Sequence, residues 1–117
     1  MTEDELKHRT KQFALRVMKL VDHLPTTTIG RAIGSQLVRS GTSVGANYRS
    51  ACGGRSRAEF IAKLGTVKEE ADESAFWLEL IIENALVQSS LVQLLLAEAN
   101  ELTAIFTSSI ISAKRNA

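Results

Sequence analysis

Cysteine occurs once in this sequence, at Cys52, and proline once, at Pro25. A lone cysteine excludes an intrachain disulfide and any multi-cysteine zinc site, and it fits a reducing cytosol. One proline and seven glycines in 117 residues are too few for a loop-rich or disordered chain. Aromatics make up only 5%, so the core must be built from Leu, Ile, Val and Ala, a set that leans towards helix and away from an all-β fold. Long apolar runs are missing as well. Stretches such as Leu94-Leu95-Leu96-Ala97 fall far short of the roughly 20 residues that span a bilayer. The opening Met1-Thr2-Glu3-Asp4-Glu5 is acidic and polar, unlike a signal or transit peptide. A single cytoplasmic domain over residues 1–117, with no membrane contact, is the expectation.

Acid is absent from one long stretch. Between His23 and Ala58 the only charged residues are Arg31, Arg39, Arg49, Arg55 and Arg57. Residues 1–58 hold ten Lys/Arg and four Asp/Glu, whereas residues 59–101 hold two and nine, and Lys114 and Arg115 close the chain. The net charge of +1 therefore conceals a basic half and an acidic half. Such asymmetry marks either a nucleic-acid face or basic helices lying against acidic ones, within one bundle or between subunits.

Four helices follow from apolar periodicity and end signals. Leu6, Phe13, Val17, Leu20 and Leu24 form one stripe over residues 3–24, opened by the capping pattern Thr2…Glu5 and closed by Leu24-Pro25. Over residues 27–51, Ile29, Ile33, Leu37, Val44 and Tyr48 share a core-facing arc, and Arg31, Ser35, Arg39, Thr42 and Arg49 share another. A third arc carries Gly30, Gly34, Gly41 and Gly45. Glycine weakens a helix interior by about 1 kcal/mol relative to alanine, so four on one side predict close helix approach, with a bend near Gly41–Gly45 as the alternative. Gly41 and Gly45 are on this ground candidates for an oligomer contact. Ser40 and Asn47 fall on the core-facing side, where buried polar groups need partners, and a structural hydrogen-bond network between helices is expected there.

Gly53-Gly54 predicts a turn, and Ser56…Glu59 a second capping box. A long helix over about residues 57–87 then carries Phe60, Leu64, Val67, Ala71, Ala75, Leu78, Ile82 and Ala85 on one stripe. Phe76, Trp77 and Leu80 lie off it, beside Glu69, Glu73 and Glu83; an apolar group rimmed by charge marks a partner surface, here an oligomer interface anchored by Trp77. A third box, Ser90…Gln93, predicts a helix over about residues 91–113, with Leu91, Leu95, Leu102, Ile105 and Ile110 facing inward. Short connections then give an all-α, antiparallel up-down-up-down four-helix bundle.

Catalytic chemistry is not evident. His8 and His23 are the only histidines, and no nucleophile–base set accompanies them. Glu5-x-x-His8 matches one unit of a di-iron bundle, a site that needs a second such unit and two further glutamates. Gly53-Gly54 has no following Lys-Ser/Thr, so no phosphate loop is present. Cys52 lies near Arg49 and Arg55, which would lower its pKa if they faced the thiol; a small buried filler is the other reading. No metal and no cofactor are expected.

The string Leu37-Val38-Arg39-Ser40-Gly41-Thr42-Ser43-Val44-Gly45-Ala46-Asn47-Tyr48-Arg49 is specific. Together with Ser56-x-x-Glu59-Phe60-x-x-Lys63-Leu64, Lys68-Glu69-Glu70-Ala71-Asp72-Glu73 and Trp77-Leu78, it resembles a bacterial four-helix-bundle family first associated with intervening sequences of 23S rRNA, over about residues 10–90. The resemblance implies an antiparallel bundle that assembles into a homopentamer around a central channel, without known enzymatic activity. A similar bundle is the accessory protein of diversity-generating retroelements, where a basic pentamer engages nucleic acid and a reverse transcriptase. Many relatives have Ser-x-Pro-Ala-Asn where this chain has Ser43-Val44-Gly45-Ala46-Asn47, and the pI of 7.9 is mild for a dedicated nucleic-acid binder. Two functions are thus expected to compete. One is a non-enzymatic homo-oligomeric scaffold or adaptor whose partner is itself or another protein. The other is a nucleic-acid-binding accessory that meets RNA or DNA through Arg31, Arg39, Arg49, Arg55 and Arg57.

Overall fold

A computed structural model describes residues 1–116. Four α-helices account for most of them: α1 Glu3–Asp22, α2 Thr28–Cys52, α3 Arg57–Glu83 and α4 Ser89–Arg115. Successive helices pack on one another, and α1 closes against α4 through a thinner contact, giving an up-down-up-down bundle of about 47 × 20 × 19 Å. At 1.5 Å per residue, the 27 residues of α3 and of α4 run almost the full length of the molecule.

The helix starts show how local chemistry sets the boundaries. Thr2 and Ser56 use their hydroxyls to accept from the N–H groups of Glu5 and Glu59, each at 3.1 Å, as the capping patterns predict. Thr27 does the same for Gly30 at 3.1 Å. The box at Ser90 is not formed: α4 begins two residues earlier than expected, at Ser89, and its cap residue Gln88 makes no side-chain bond. At the other end, α3 stops at Glu83, four residues before the predicted limit. Ala85 takes a left-handed conformation (φ 49°), with its N–H donating to Ile82 O and that of Leu86 to Ile81 O, both at 3.1 Å. This is a Schellman stop with alanine where glycine is favoured. Ala85 is consequently exposed and does not continue the core stripe.

The core runs along the bundle axis through Phe13, Val17, Leu37, Val44, Leu64, Val67, Leu78, Ile81, Val92, Leu102 and Phe106. Tyr48 of α2 meets Phe106 of α4 with ring centroids 5.3 Å apart. Two residues assigned inward by periodicity face water: Ile29, in the first turn of α2, is 53% exposed, and Leu91, in the first turn of α4, is 75% exposed. A wheel gives direction only, and at a helix end there is no neighbouring helix to cover the stripe. Conversely Thr10 is fully buried, its hydroxyl satisfied by Leu6 O at 2.8 Å.

The glycine arc of α2 faces α1 of the same chain. A Cβ on Gly41 would lie 2.8 Å from Val17 Cγ1, and one on Gly45 3.3 Å from Thr10 Oγ1. Both glycines are buried by this intramolecular contact, which corrects their assignment to an oligomer interface. The helix stays continuous through them, so the bend is not observed. By length and composition α4 is long and apolar enough to cross a membrane, the only such helix among the described residues. In the bundle its Val92, Leu95, Ala99, Leu102 and Phe106 are core residues.

Three glycine and alanine positions test this packing. Gly41→Ala should destabilise by about 1–2 kcal/mol, because Val17 is branched at Cβ, fully buried and unable to swing aside. Gly65→Ala, with nothing within 4 Å of the new methyl, should stabilise by up to about 1 kcal/mol. Ala85→Gly should stabilise by about 1 kcal/mol by relieving the left-handed alanine. Urea unfolding of the three variants measures all of these.

Candidate functional site

The acidic and basic halves of the sequence meet inside one chain. Arg39 reaches from α2 to α3, bonding Glu70 Oε2 at 3.1 Å and pairing with Glu73. Glu73 also accepts from Trp77 Nε1 at 3.1 Å. The bond to Glu73 leads the interactions that raise the Arg39 guanidinium pKa above its already high ordinary value. Arg39 is thus an interhelical tie within the chain, with its side chain still 47% exposed. Trp77 is corrected in part: it packs half-buried against the core, held to Glu73, while its neighbour Phe76 stands 51% exposed with the rings edge-on at 5.1 Å. Leu80 is half-buried.

The α1–α4 seam is held by one charged cluster. Arg9 binds Glu98 in bidentate fashion, Nε to Oε2 and Nη2 to Oε1, both at 2.8 Å, and Glu101 lies 3.1 Å from Nη2. Glu98 is the main cause of the raised Arg9 pKa, outweighing the opposing effect of burial, so this guanidinium is charged at any ordinary pH. The periodicity argument missed this tie, since nothing in the sequence links residues 89 positions apart.

The remaining arginines divide by position. Arg31 is exposed near the α1–α2 turn, without an ion pair among the described residues. Arg49 and Arg55 are exposed at the opposite end, where Arg57 donates to Ala113 O at 3.3 Å and so brings the α2–α3 turn beside Lys114 and Arg115. Arg31 and Arg49, 18 residues apart on one helix, are separated by about 27 Å, and they form no single patch. The sequence did not reveal the joining of Arg55 and Arg57 with the C-terminal Lys114 and Arg115.

The expected Ser40–Asn47 network is replaced by another. Ser40 accepts from Ser74 of α3 at 2.9 Å, both serines fully buried, whereas Asn47 is half-buried and donates to Ser43 O of its own helix at 2.8 Å. The α2–α3 polar contact therefore uses Ser74, which periodicity alone placed nowhere. Cys52 is half-buried, and burial pushes its thiol up, against the lowering effect of Tyr48. The filler reading fits this environment; activation by Arg49 and Arg55 does not. Glu5 and His8 are exposed on α1, and no group of three or more carboxylate, imidazole or thiol side chains converges among the described residues.

Apolar surface is the conspicuous feature outside the core. Where α1 and α4 diverge beyond the Arg9 cluster, a groove of about 680 Å³ opens between the end of α1 and the start of α4. Leu20, Leu91, Leu94 and Leu95 line it, with Arg16, Lys19 and His23 at its rim. Leu94 is 63% exposed. Nothing in the sequence signalled this groove, since periodicity placed Leu91 on the inward-facing stripe of α4.

A family model described as 23S rRNA-intervening sequence protein matches residues 3–108. The chain belongs to this family. A crystal structure of a protein of unknown function from the S23 ribosomal protein family of Bacteroides thetaiotaomicron is similar to it, with 33% identity and a TM-score of 0.86, over 94% of this chain and 98% of that one. No curated protein matches at a significant level. The resemblance carried by the Leu37–Arg49 string is thereby established for the family and for the bundle.

Two outcomes follow for the buried groups. Arg9→Met should destabilise by about 1–2 kcal/mol in urea unfolding, because Glu98 is left half-buried without its counter-charge. At pH 7 a thiol reagent should modify Cys52 more slowly in the folded protein than in the urea-unfolded chain, since a raised pKa leaves less thiolate. Equal rates would contradict the burial of the thiol.

Proposed function

We propose that this chain is a non-enzymatic, cytoplasmic scaffold that assembles with copies of itself and presents the assembly to another protein. The observation carrying this reading is apolar surface left in solvent: Leu91, Leu94, Phe76 and Ile111 are each more than half exposed. Covering a Leu, Ile or Phe fully is worth about 1.5–3 kcal/mol, so a self-contact spanning several of them would be favourable. A ring of five is what the family resemblance implies. The polar groups support the same reading from the other side, since Arg9, Arg39, Ser40 and Ser74 are all engaged in holding helices together.

A second reading rests on the basic end. Arg49, Arg55, Arg57, Lys114 and Arg115 gather around the α2–α3 turn and the end of α4, a surface able to meet the phosphates of RNA or DNA.

Light scattering coupled to size exclusion, with and without a mixed RNA pool, separates the two. The scaffold reading expects a multi-subunit species whose mass is unchanged by RNA. A single 12.8 kDa chain at micromolar concentration contradicts it. A larger complex with RNA that dissolves as salt rises, and that Arg49→Glu with Arg55→Glu abolishes, would favour the second reading.

A further inference from the structure

We infer that the self-contact joins two different surfaces of the chain, the outer face of α3 on one copy and the α1–α4 groove on the next. This rests on the oligomeric reading above and names the surfaces that would carry it. Glu69, Asp72, Phe76, Glu79 and Glu83 recur at three- and four-residue spacing and form one exposed stripe along α3, with half-buried Leu80 beside Phe76. It is an apolar knob in an acidic surround. The groove is its counterpart: Leu20, Leu91, Leu94 and Leu95 line it, with the cationic Arg16 and Lys19 beside them. None of Glu69, Asp72, Glu79, Glu83, Arg16 and Lys19 has an ion-pair partner within the chain among the described residues. Each surface thus offers the charge and shape that the other lacks.

One copy cannot satisfy itself. α3 lies diagonally across the bundle from α1, its neighbours being α2 and α4, so the stripe on its outer face and the groove are on different sides of the molecule. They do share a level along its axis. Phe76 and Leu80 precede the end of α3 by seven and three residues, Arg16 and Lys19 precede the end of α1 by six and three, and Leu91 and Leu94 follow the start of α4 by two and five. At 1.5 Å per residue, all lie within about 10 Å of the same end of the bundle. A contact between unlike surfaces makes a ring where the rotation from copy to copy closes and an open filament where it does not, and equal height is compatible with the ring.

The test uses the whole chain and two single substitutions at exposed positions. Phe76→Glu removes the knob and leaves the groove; Leu94→Glu spoils the groove and leaves the knob. Each variant alone should run as a single chain by light scattering, with helix content unchanged by circular dichroism. Mixed in equal amounts, they should form a pair of twice the chain mass and nothing larger, because only one good contact can form. Variants that assemble as the unaltered protein does would overturn these surfaces while leaving the oligomeric reading intact. Two single-chain variants that fail to pair would overturn the contact between these two surfaces, and one variant that still self-associates would show like surfaces meeting instead. An unaltered protein that is itself a single chain would overturn the oligomeric reading and this inference together. Should either substitution disturb the helices, charge reversal gives the same comparison: Arg16→Glu with Lys19→Glu in one chain, and Glu79→Lys with Glu83→Lys in the other. Each alone should be a single chain, and their mixture should assemble.

Discussion

The close approach of α1 to α2 across Gly41 and Gly45 is the constraint on which the bundle depends. With no side chain at either position, Val17 and Thr10 reach the backbone of α2, and α1 is drawn against that helix. What draws α1 towards α2 leaves less of it for α4. The α1–α4 seam is consequently the thinnest of the helix contacts, held by the Arg9–Glu98 pair rather than by continuous apolar packing. Beyond that clamp the two helices part, and the apolar groove at Leu20, Leu91 and Leu94 is the result.

The polar chemistry of the chain is spent mainly on holding helices. Arg39 ties α2 to α3 through Glu70 and Glu73, Ser40 meets Ser74 in the same seam, and Arg9 ties α1 to α4. These contacts neutralise much of the difference between the basic first half and the acidic second half. The charges left over are distributed in space: a basic end around Arg49, Arg55 and Arg57, a basic rim at Arg16 and Lys19, and an acidic stripe along α3. An apolar surface framed by unspent charge belongs to an assembling protein more naturally than to a solitary one.

Much of the fold was legible in the sequence because it is local. Thr2…Glu5 and Ser56…Glu59 mark helix starts through bonds between near neighbours, and the stripes of α1 and α3 follow from spacing alone. The stop at Ala85 was not legible, since alanine gives no warning of a left-handed residue. The candidate site was legible only in part. The glycine arc revealed a close approach but not which helix approached. Trp77 has its partner Glu73 only four positions away on the same helix, within reach of a local rule, whereas Arg39 and Ser40 of α2 meet Glu73 and Ser74 at a separation of 34 positions, where no local rule connects them. Leu91 and Ile29 were placed inward by period, although a helix end has no neighbour to cover it.

The proposed self-contact covers the groove between α1 and α4 in the working protein. A structure of the assembled protein, in a crystal or by electron cryo-microscopy, reads this out: Leu91 and Leu94 are expected to be covered by α3 of a neighbouring copy, with Phe76 between them and Arg16 and Lys19 beside its carboxylates. An assembly in which Leu91 and Leu94 remain in solvent would contradict it.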